Sequence, residues 1–578
     1  MTETARVALM LTVVMGGYLA LAALLIGRWL RPPARRVLIG TTLAAIFIIG
    51  VHLVTREQHN FWDWLFHPSS ELAAGAIYSS AQYVVVVLFM LLIGFYGQWE
   101  RPWQRLYWII AALLFGFLCI DEYFSLHESV LLWRYLYPLA GASFVLITLV
   151  GWWIGFRKDW RVMALMLFGL ALMGFAGVAL DSFSNEQVMR FGSYEMNWFV
   201  CRTSFLGVPC QSYGFAEEFL EMVGVGLILA TAFSFLLERV PGPRLPRIRR
   251  VVLAGLGLWV LWAIANVWVI PSVEQLLLAE RFPITYEDEN LQFLGYTRST
   301  DLAAPGDTVN LTFYFRARRP LTEDYHLSVH VLTREEAESV AQYDLQLGEW
   351  KYPSTAWIPG LAVRNRVPLE LPADLPNIPQ SYLVTARVWS TDRPAKTLEE
   401  SELDGLTIQE SARRLLTPDT VVLFGLPVFA PPEVPPAPQA ADFRFDGDYA
   451  LAGYDLPTDG TVGQPLEVAF WWHTGRNPRI ADNYVQFIHL FHENGQDYWV
   501  YDRPPFDDLF PTADWPGNLT VVDRFAIPLP ADLPPGEYTV RTGMYEPVNK
   551  DRIPVRTGDG QVVQDFSITL GQIAITAP

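Results

Sequence analysis

Long apolar runs separated by short charged loops fill the first part of the chain, up to about residue 275. A helix needs about 20 apolar residues to cross the hydrocarbon core of a bilayer. Eight segments reach that length and are predicted to be membrane-spanning helices, at about residues 6–27, 37–54, 75–96, 107–126, 134–155, 162–180, 214–237 and 251–271. The first is followed by RWLRPPARR, which is typical of a stop-transfer anchor and not of a cleaved signal peptide.

Beyond that point the pattern changes to short alternations of apolar and polar residues, punctuated by Pro, Gly and Asp. Runs such as TVNLTFYF, HLSVHVL and YTVRTGMY have the period of two that is typical of half-buried β-strands. Several such strands in a stretch of about 120 residues predict an antiparallel β-sandwich. The predicted fold class is therefore an α-helical polytopic membrane bundle over residues 1–275, followed by two all-β sandwich domains.

The second half of the chain contains an internal repeat. LPADLP occurs word for word at residues 371–376 and 529–534, and the pairs Gly295–Tyr296 and Gly453–Tyr454 occupy matching positions. A WIPG segment at 357–360 corresponds to a WPG segment at 515–517. We predict one sandwich over residues 285–410 and a second over 441–578, joined by a semi-rigid Pro-rich linker over 411–440.

The phrases GYDL, PTADWPG and LPADLPPGEYTVRTGMY resemble the β-sandwich modules at the C-termini of bacterial polytopic envelope proteins. Some of those proteins are membrane glycosyltransferases that use lipid-linked sugars. The resemblance covers about residues 285–410 and 441–578 and implies an accessory module without catalytic residues.

Aromatic and histidine residues within the two copies raise the question of a binding site. FWWH at 470–473 and YWVY at 498–501 offer rings on which a glycan could stack, but large aromatics more often fill a sandwich core, and we favour the core. His330 and His489 occupy equivalent strand positions. We expect a repeated structural role for them, partly buried and hydrogen-bonded, in preference to metal ligation.

Arginine and lysine collect in alternate loops of the membrane domain, which predicts the orientation of the chain. One set of loops holds fourteen of these residues and the other set four, which are Arg56, Arg134, Arg190 and Arg202. The richer set is expected in the cytoplasm. We therefore predict a multi-pass plasma-membrane protein whose N-terminus and β domains are extracytoplasmic.

Charge and cysteine usage agree with an extracytoplasmic half. Cys201 and Cys210 share one predicted outer loop, where an oxidising compartment would permit a disulfide, whereas Cys119 lies within a helix. The net charge of −18 argues against nucleic acid as a partner. The expected partners are membrane lipid and a lipid-linked or glycan substrate.

Ionisable residues gather where the fourth predicted span ends, in the sequence CIDEYFSLHESV. Asp121, Ser125 and Glu128 share one helix face, with His127 beside them. The seventh span begins with FAEEFLEM, which places Glu217 and Glu221 one turn apart at the same predicted outer level. Further candidates at that level are Asp181, at the end of the sixth span, and His52, near the end of the second.

Several carboxylates near a bilayer repel one another unless they are protonated, hydrogen-bonded or bridged by a cation. A divalent metal would remove that repulsion, and this donor set suits Zn, Mn or Fe. We predict metal ligation by Asp121, His127, Glu128 and Glu221, with Asp181 or Glu217 as the catalytic base. The alternative is that these acids are solvated separately at helix ends, where the dipole favours a carboxylate near an N-terminus.

These features suggest three alternative functions. The first is a metal-dependent hydrolase or transferase that faces outward and acts on a lipid-linked or envelope substrate gripped by the sandwiches. The second is a non-enzymatic membrane anchor that displays adhesion, glycan-binding or complex-assembly modules. The third, a proton- or cation-coupled transporter, ranks last because the middles of the spans are almost uniformly apolar.

Overall fold

The computed structural model describes residues 3–24, 26–55, 61–67, 73–124, 133–180, 189–191, 194–196, 204–205, 208–286, 290–349, 351–390, 415–417, 420–431, 433–495 and 498–577. Its contacts divide the chain into two compact units. The first unit comprises Met1–Leu277 with two later segments, Arg316–Asp324 and Leu347–Val363. The second unit comprises Leu278–Phe315, Tyr325–Gln346 and Arg364–Pro578.

The first unit is mainly helical, as the apolar runs predict. Its α-helices, numbered along the chain, are α1 Glu3–Leu24, α2 Pro32–Thr55, α3 Phe61–Phe66, α4 Ala74–Tyr96, α5 Pro102–Phe124, α6 Trp133–Gly155, α7 Trp160–Gly174, α8 Gly214–Arg239, α9 Leu245–Trp268 and α10 Ile270–Leu278. A π-helical turn, Phe175–Leu180, extends α7. Two short hairpins lie between α7 and α8, made of β1 Met189–Phe191 with β2 Tyr194–Met196, and β3 Ser204–Phe205 with β4 Val208–Pro209.

Within the described residues, seven helices are long and apolar enough to cross a membrane. They match seven of the eight predicted spans. The remaining predicted span coincides with α6, of which the described apolar part is the shorter stretch Gly141–Gly155. Apolar runs predict these helices well because a backbone in lipid must satisfy its own hydrogen bonds, and a helix does so within one segment.

Helix α8 forms the core of the bundle, whereas α9 lies at its edge. In α8, Gly214–Arg239, 78% of the most apolar stretch is buried inside the protein. In the segment Gly242–Trp268, which contains α9, the corresponding fraction is 11%. Glycines permit the close packing of α8 against α7. A Cβ on Gly224 would lie 3.0 Å from the carbonyl oxygen of Gly169, so the two backbones approach more closely than larger residues allow.

The β-strands that follow form four larger sheets. The strands are β5 Glu280–Tyr286, β6 Leu291–Arg298, β7 Thr308–Ala317, β8 Tyr325–Leu332, β9 Ser339–Gln346, β10 Ala362–Glu370, β11 Ser381–Ser390, β12 Leu415–Thr417, β13 Thr420–Pro427, β14 Gln439–Phe445, β15 Tyr449–Asp455, β16 Asp459–Thr461, β17 Pro465–Thr474, β18 Val485–His492, β19 Tyr498–Arg503, β20 Thr520–Pro528, β21 Gly536–Tyr545, β22 Val555–Thr557 and β23 Ile568–Thr576.

The internal repeat is visible in the order of these strands. The first copy has one sheet in the order β10-β7-β6-β5 and another in the order β12-β13-β11-β8-β9. The second copy has β20-β17-β15-β14-β22 and β16-β23-β21-β18-β19. Strands at matching sequence positions take matching places in each pair of sheets, which confirms the predicted fold class of a helical bundle followed by antiparallel β-sandwiches.

The boundaries of the predicted linker need correction. We predicted a Pro-rich linker over residues 411–440, but β13 lies inside that range and pairs with β11, Ser381 being opposite Pro427. The run TVVLFGLP therefore belongs to the first sandwich, because its apolar side chains complete a sheet whose partner strand lies about forty residues earlier in the chain. The proline-rich segment that joins the copies is correspondingly shorter.

The aromatic and histidine residues of the sandwiches have the structural roles that we favoured. Phe470, Trp471 and Trp472 are 1%, 4% and 1% exposed, so these three rings belong to the core and offer no surface for a glycan. His330 lies 3.2 Å from the hydroxyl of Ser339. His489 is partly buried beside Asp502, and burial is the main reason that its pKa is lowered.

A buried carboxylate joins the two copies within the second unit. Asp514 accepts hydrogen bonds from Ser381 at 2.6 Å and from the guanidinium of Arg334 at 2.9 Å. Burial raises the pKa of its carboxyl group, and these two partners oppose the rise. Asp514 ends the short 3₁₀ turn Thr512–Asp514, which corresponds to Ser354–Ala356 in the first copy.

Candidate functional site

Half of the predicted site residues lie outside the described part of the chain. These are His127, Glu128 and Asp181. Asp121 belongs to α5, but its side chain is outside the description too. The predicted convergence of carboxylates from three spans therefore stays a prediction, and Glu217 and Glu221 are the predicted residues whose surroundings the structure shows.

Glu221 lies directly against the end of the preceding span. A Cβ placed on Gly177 would be 2.5 Å from Oε1 of Glu221, so the carboxylate occupies space that exists only because residue 177 is glycine. Gly177 belongs to the π-helical turn Phe175–Leu180, and Asp181 follows this turn directly in the sequence. Single π-helical turns are frequent at functional sites. The contact brings α8 together with the span that carries Asp181.

A second group of ionisable side chains is more completely described. Nδ1 of His52, in the last turn of α2, is 3.2 Å from a carboxylate oxygen of Asp63 on α3. The side chains of His52 and Asp63 are only 3% and 16% exposed. His67 follows α3, and its ring centroid is 4.5 Å from that of His52. We refer to His52, Asp63 and His67 as the histidine cluster.

Burial controls the protonation of His67. The pKa of His67 falls from 6.5 to about 4, chiefly because the ring is desolvated and also because a charged His52 would repel the imidazolium. The nearby Asp63 carboxylate opposes that change. At neutral pH His67 is therefore uncharged.

Phe215 connects the histidine cluster to the helix of the predicted carboxylates. Its ring centroid lies 5.4 Å from that of His52. Phe215 is in the first turn of α8, two residues before Glu217 and six before Glu221. The end of α2 and the start of α8 consequently meet at the same edge of the bundle, so His52, which we had named as a further candidate, lies at the same level as the acidic start of α8.

Helix α3 is held from its other side by a later segment of the same unit. The indole N–H of Trp64 donates to the carbonyl oxygen of Lys351 at 2.5 Å, and the rings of Trp64 and Tyr352 are 4.3 Å apart. Trp64 is 4% exposed. The hydroxyl of Tyr352 accepts a hydrogen bond from the amide of Ile358, and burial raises the pKa of that hydroxyl to about 12. These contacts fix α3 and with it the position of Asp63.

His67 was not predicted as a site residue, and Asp63 had no predicted role. The two residues are four apart in FWDWLFH, which is the spacing that places side chains on the same face of a helix. That spacing, next to a histidine at the end of an apolar span, was the available signal.

The structure also bears on the predicted metal site and on the predicted disulfide. Among the described residues, no group of three or more His, Cys, Asp and Glu side chains has an arrangement that could hold a metal ion. The side chains of three of the four predicted ligands lie outside the described part of the chain, so the metal stays a prediction. Cys210 is disulfide-bonded, and its predicted partner Cys201 lies outside the described residues.

No family model matches this chain, and no curated protein matches its sequence. Solved structures that match include a transglutaminase from red sea bream, with 9% sequence identity and a TM-score of 0.16. The match covers 50% of this chain and 31% of that structure, so the chain spans less than a third of its length. A similarity of this size carries no argument about fold or activity.

Proposed function

We propose that this protein is an integral membrane hydrolase or transferase that acts at the outer face of the plasma membrane on a lipid-linked or envelope substrate. The observation that carries the proposal is the contact of 3.2 Å between Nδ1 of His52 and Asp63. A buried carboxylate beside one imidazole nitrogen favours the tautomer in which that nitrogen carries the proton. The other nitrogen, Nε2, is then a base, as in hydrolytic sites where a carboxylate orients a histidine.

The reaction would use His52 to move a proton. In the hydrolase form, water attacks a carbonyl or phosphoryl centre while Nε2 takes its proton, and the imidazolium then returns a proton to the departing oxygen. Asp63 stabilises the imidazolium between these steps. In the transferase form, the hydroxyl of an acceptor replaces water. Either form requires the substrate to reach the end of α2, where the exposed rings of Phe47 and Trp62 would contact the apolar part of a lipid.

The predicted metal belongs to the same proposal. A Zn, Mn or Fe ion held by Asp121, His127, Glu128 and Glu221 would polarise the substrate oxygen, with Asp181 or Glu217 as a further base. The contact of Glu221 with the π-helical turn before Asp181 supports a meeting of these spans. The test is metal analysis of purified wild-type protein beside Glu128→Gln and Glu221→Gln. We expect bound metal in the wild type and its loss in both variants, and unchanged metal content would defeat this assignment.

Orientation also forms part of the proposal. The arginine-rich loops, Arg28 to Arg36 and Arg239 to Arg250 among them, are expected in the cytoplasm, which places the end of α2 and the start of α8 outside. The disulfide of Cys210, close before α8, supports an oxidising compartment on that side.

The experiment that tests the activity uses full-length protein in vesicles. A panel of phospholipids, polyprenyl-phosphate sugars and other lipid-linked glycans is incubated with the wild type and with His52→Gln, and the products are identified by mass spectrometry. His473→Gln is the matched control, because His473 is an exposed residue that contacts Thr520 in the second sandwich. We expect a product from the wild type and the control and little from His52→Gln. Equal conversion by His52→Gln would refute the proposed base.

A second candidate function, ligand binding by the sandwiches, is favoured by a cleft in the second unit. The cleft has a volume of about 540 Å³ and is lined by residues of both copies and of the segment between them, including Asp301, Pro431, Arg476 and Asn518. A non-enzymatic anchor would bind its glycan or protein partner here. Binding of envelope glycans to full-length protein, abolished by Arg476→Ala and unaffected by His52→Gln, would favour this candidate.

A further inference from the structure

An apolar stripe is exposed along α10 and the residue before it. Val269, Val273, Leu276 and Leu277 are 52%, 47%, 64% and 76% exposed. Their spacing of i, i+4, i+7 and i+8 places them on one face of a helix. A continuous stripe of four large apolar side chains that are all this exposed is unusual on a surface that faces water.

The polar side of the same helix faces the protein. Ser272, Glu274 and Gln275 are half-buried, and the hydroxyl of Ser272 accepts a hydrogen bond from the amide of Ala362 at 3.2 Å. A helix on the surface of a soluble domain buries its apolar face and exposes its polar face. Helix α10 does the reverse, so the medium around its outer face is not water.

The stripe continues the exposed face of α9. Leu258 and Leu261 on α9 are 68% and 65% exposed, and only 11% of this span is buried within the protein. The apolar part of α9, from residue 251 to 268, is about 27 Å long at 1.5 Å per residue, close to the thickness of a hydrocarbon core of about 30 Å. Helix α10 starts two residues after α9 ends and therefore lies where the headgroups begin.

We propose that α10 is an interfacial helix that rests in the headgroup region of the bilayer, with Val273, Leu276 and Leu277 inserted into the lipid. The occupant of the stripe is the membrane surface itself, because the stripe is continuous with a span that already faces lipid. Amphipathic helices bind bilayers in this manner through their apolar face. Ser272 ties the helix to Ala362 on its other side, so α10 fixes one edge of the first unit at the lipid surface.

Spin labelling of the full-length protein in phosphatidylcholine vesicles tests this inference. A nitroxide is attached at Leu277→Cys in a Cys119→Ala background, with the disulfide of Cys210 left intact and the parent labelled in parallel. Val548→Cys is the control, because Val548 is 73% exposed on the second sandwich. Collision rates are measured with oxygen, which concentrates in lipid, and with a water-soluble nickel chelate.

At Leu277 we expect oxygen collisions to exceed nickel collisions, and the reverse order at Val548. Leu277 labels that collide mainly with nickel would overturn the inference. Dipolar broadening between labels on two copies would overturn it as well, since it would identify a second chain as the occupant. If the Leu277 variant does not fold, Val273→Cys gives the same comparison on the same face. The result does not depend on which reaction the protein catalyses.

Discussion

The imidazole of His52 and the carboxylate of Asp63 lie 3.2 Å apart and join the last turn of α2 to the short helix α3. The carboxylate is largely buried, so its effect on the imidazole is screened less than it would be in water. The pair is held from both sides, by Phe215 against His52 and by Trp64 against the segment around Lys351. These contacts fix the relative positions of the two side chains, which we propose to act as an oriented base.

Removal of the base should cost more activity than removal of its orienting partner. Positioned acid–base groups contribute about 10²- to 10⁴-fold to a rate. We expect His52→Gln to lower the conversion rate of the lipid-linked substrate by that amount, and Asp63→Asn to lower it less because the base remains but is no longer oriented. Initial rates in vesicles measure both. A larger loss in Asp63→Asn would assign the proton transfer to Asp63.

The low pKa of His67 predicts a stability that depends on pH. The folded protein holds this ring uncharged down to pH about 4, whereas the unfolded chain protonates it near its ordinary pKa of 6.5. The unfolded state therefore binds more protons between these values, so stability is complete above pH 6.5 and is lost as the pH falls toward 4. The upper limit of the loss is about 3 kcal/mol.

Thermal unfolding midpoints at pH 7 and pH 4.5 measure this effect. His67→Gln lacks the titrating group, so its midpoint should fall less over that interval than the midpoint of the wild type. Parallel falls in the two proteins would show that His67 is not held uncharged in the folded state.

Gly177 should tolerate a methyl group poorly. Alanine at this position would place its Cβ 2.5 Å from Oε1 of Glu221, so the carboxylate or the π-helical turn must move, at a cost of about 1–3 kcal/mol. Gly174 is the matched control, since nothing lies within 4 Å of a Cβ there. We expect Gly174→Ala to be neutral or to stabilise by about 0.5–1 kcal/mol, as alanine generally does in a helix. Equal midpoints for the two variants would contradict the contact.

Asp514 should contribute strongly to the joint between the two sandwiches. Asp514→Ala leaves the guanidinium of Arg334 and the hydroxyl of Ser381 without their acceptor, which we expect to cost about 3 kcal/mol. Asp442→Ala breaks an exposed pair with Arg444, in which the side chains are 54% and 64% exposed, and should have a much smaller effect because solvent screens the pair. Denaturant unfolding of the full-length variants gives both values. Similar losses of stability in the two variants would mean that the contacts of Asp514 stabilise the protein no more than an exposed ion pair does.

Much of the fold could be predicted from the sequence because the patterns that favour helices and strands are local. Apolar runs of sufficient length predict the seven long helices, and the alternation in TVNLTFYF predicts β7. The repeated words LPADLP and WPG predict that the second copy repeats the first, and the matching strand orders agree. Strand β13 was missed because its short apolar run, TVVLFGLP, lies beside the proline-rich segment that indicates a linker.

The histidine cluster was harder to predict from the sequence, for a different reason. His52 and Asp63 are separated by the end of a span and a loop, and their meeting depends on how α3 folds back against α2. That arrangement is set by tertiary contacts, above all Trp64 with Tyr352 more than 280 residues later. No periodicity encodes such a contact. The i, i+4 spacing of Asp63 and His67 was visible, but nothing in the sequence placed His52 beside them.

A double-mutant cycle measures whether His52 and Asp63 act as one catalytic unit. Conversion rates of the lipid-linked substrate are compared for the wild type, His52→Gln, Asp63→Asn and the double variant. We predict that the double variant is no slower than His52→Gln, because an orienting carboxylate has no effect once the base is absent. If the double variant loses the product of the two single rate losses, or if the wild type converts no lipid in the panel, His52 and Asp63 do not form such a unit.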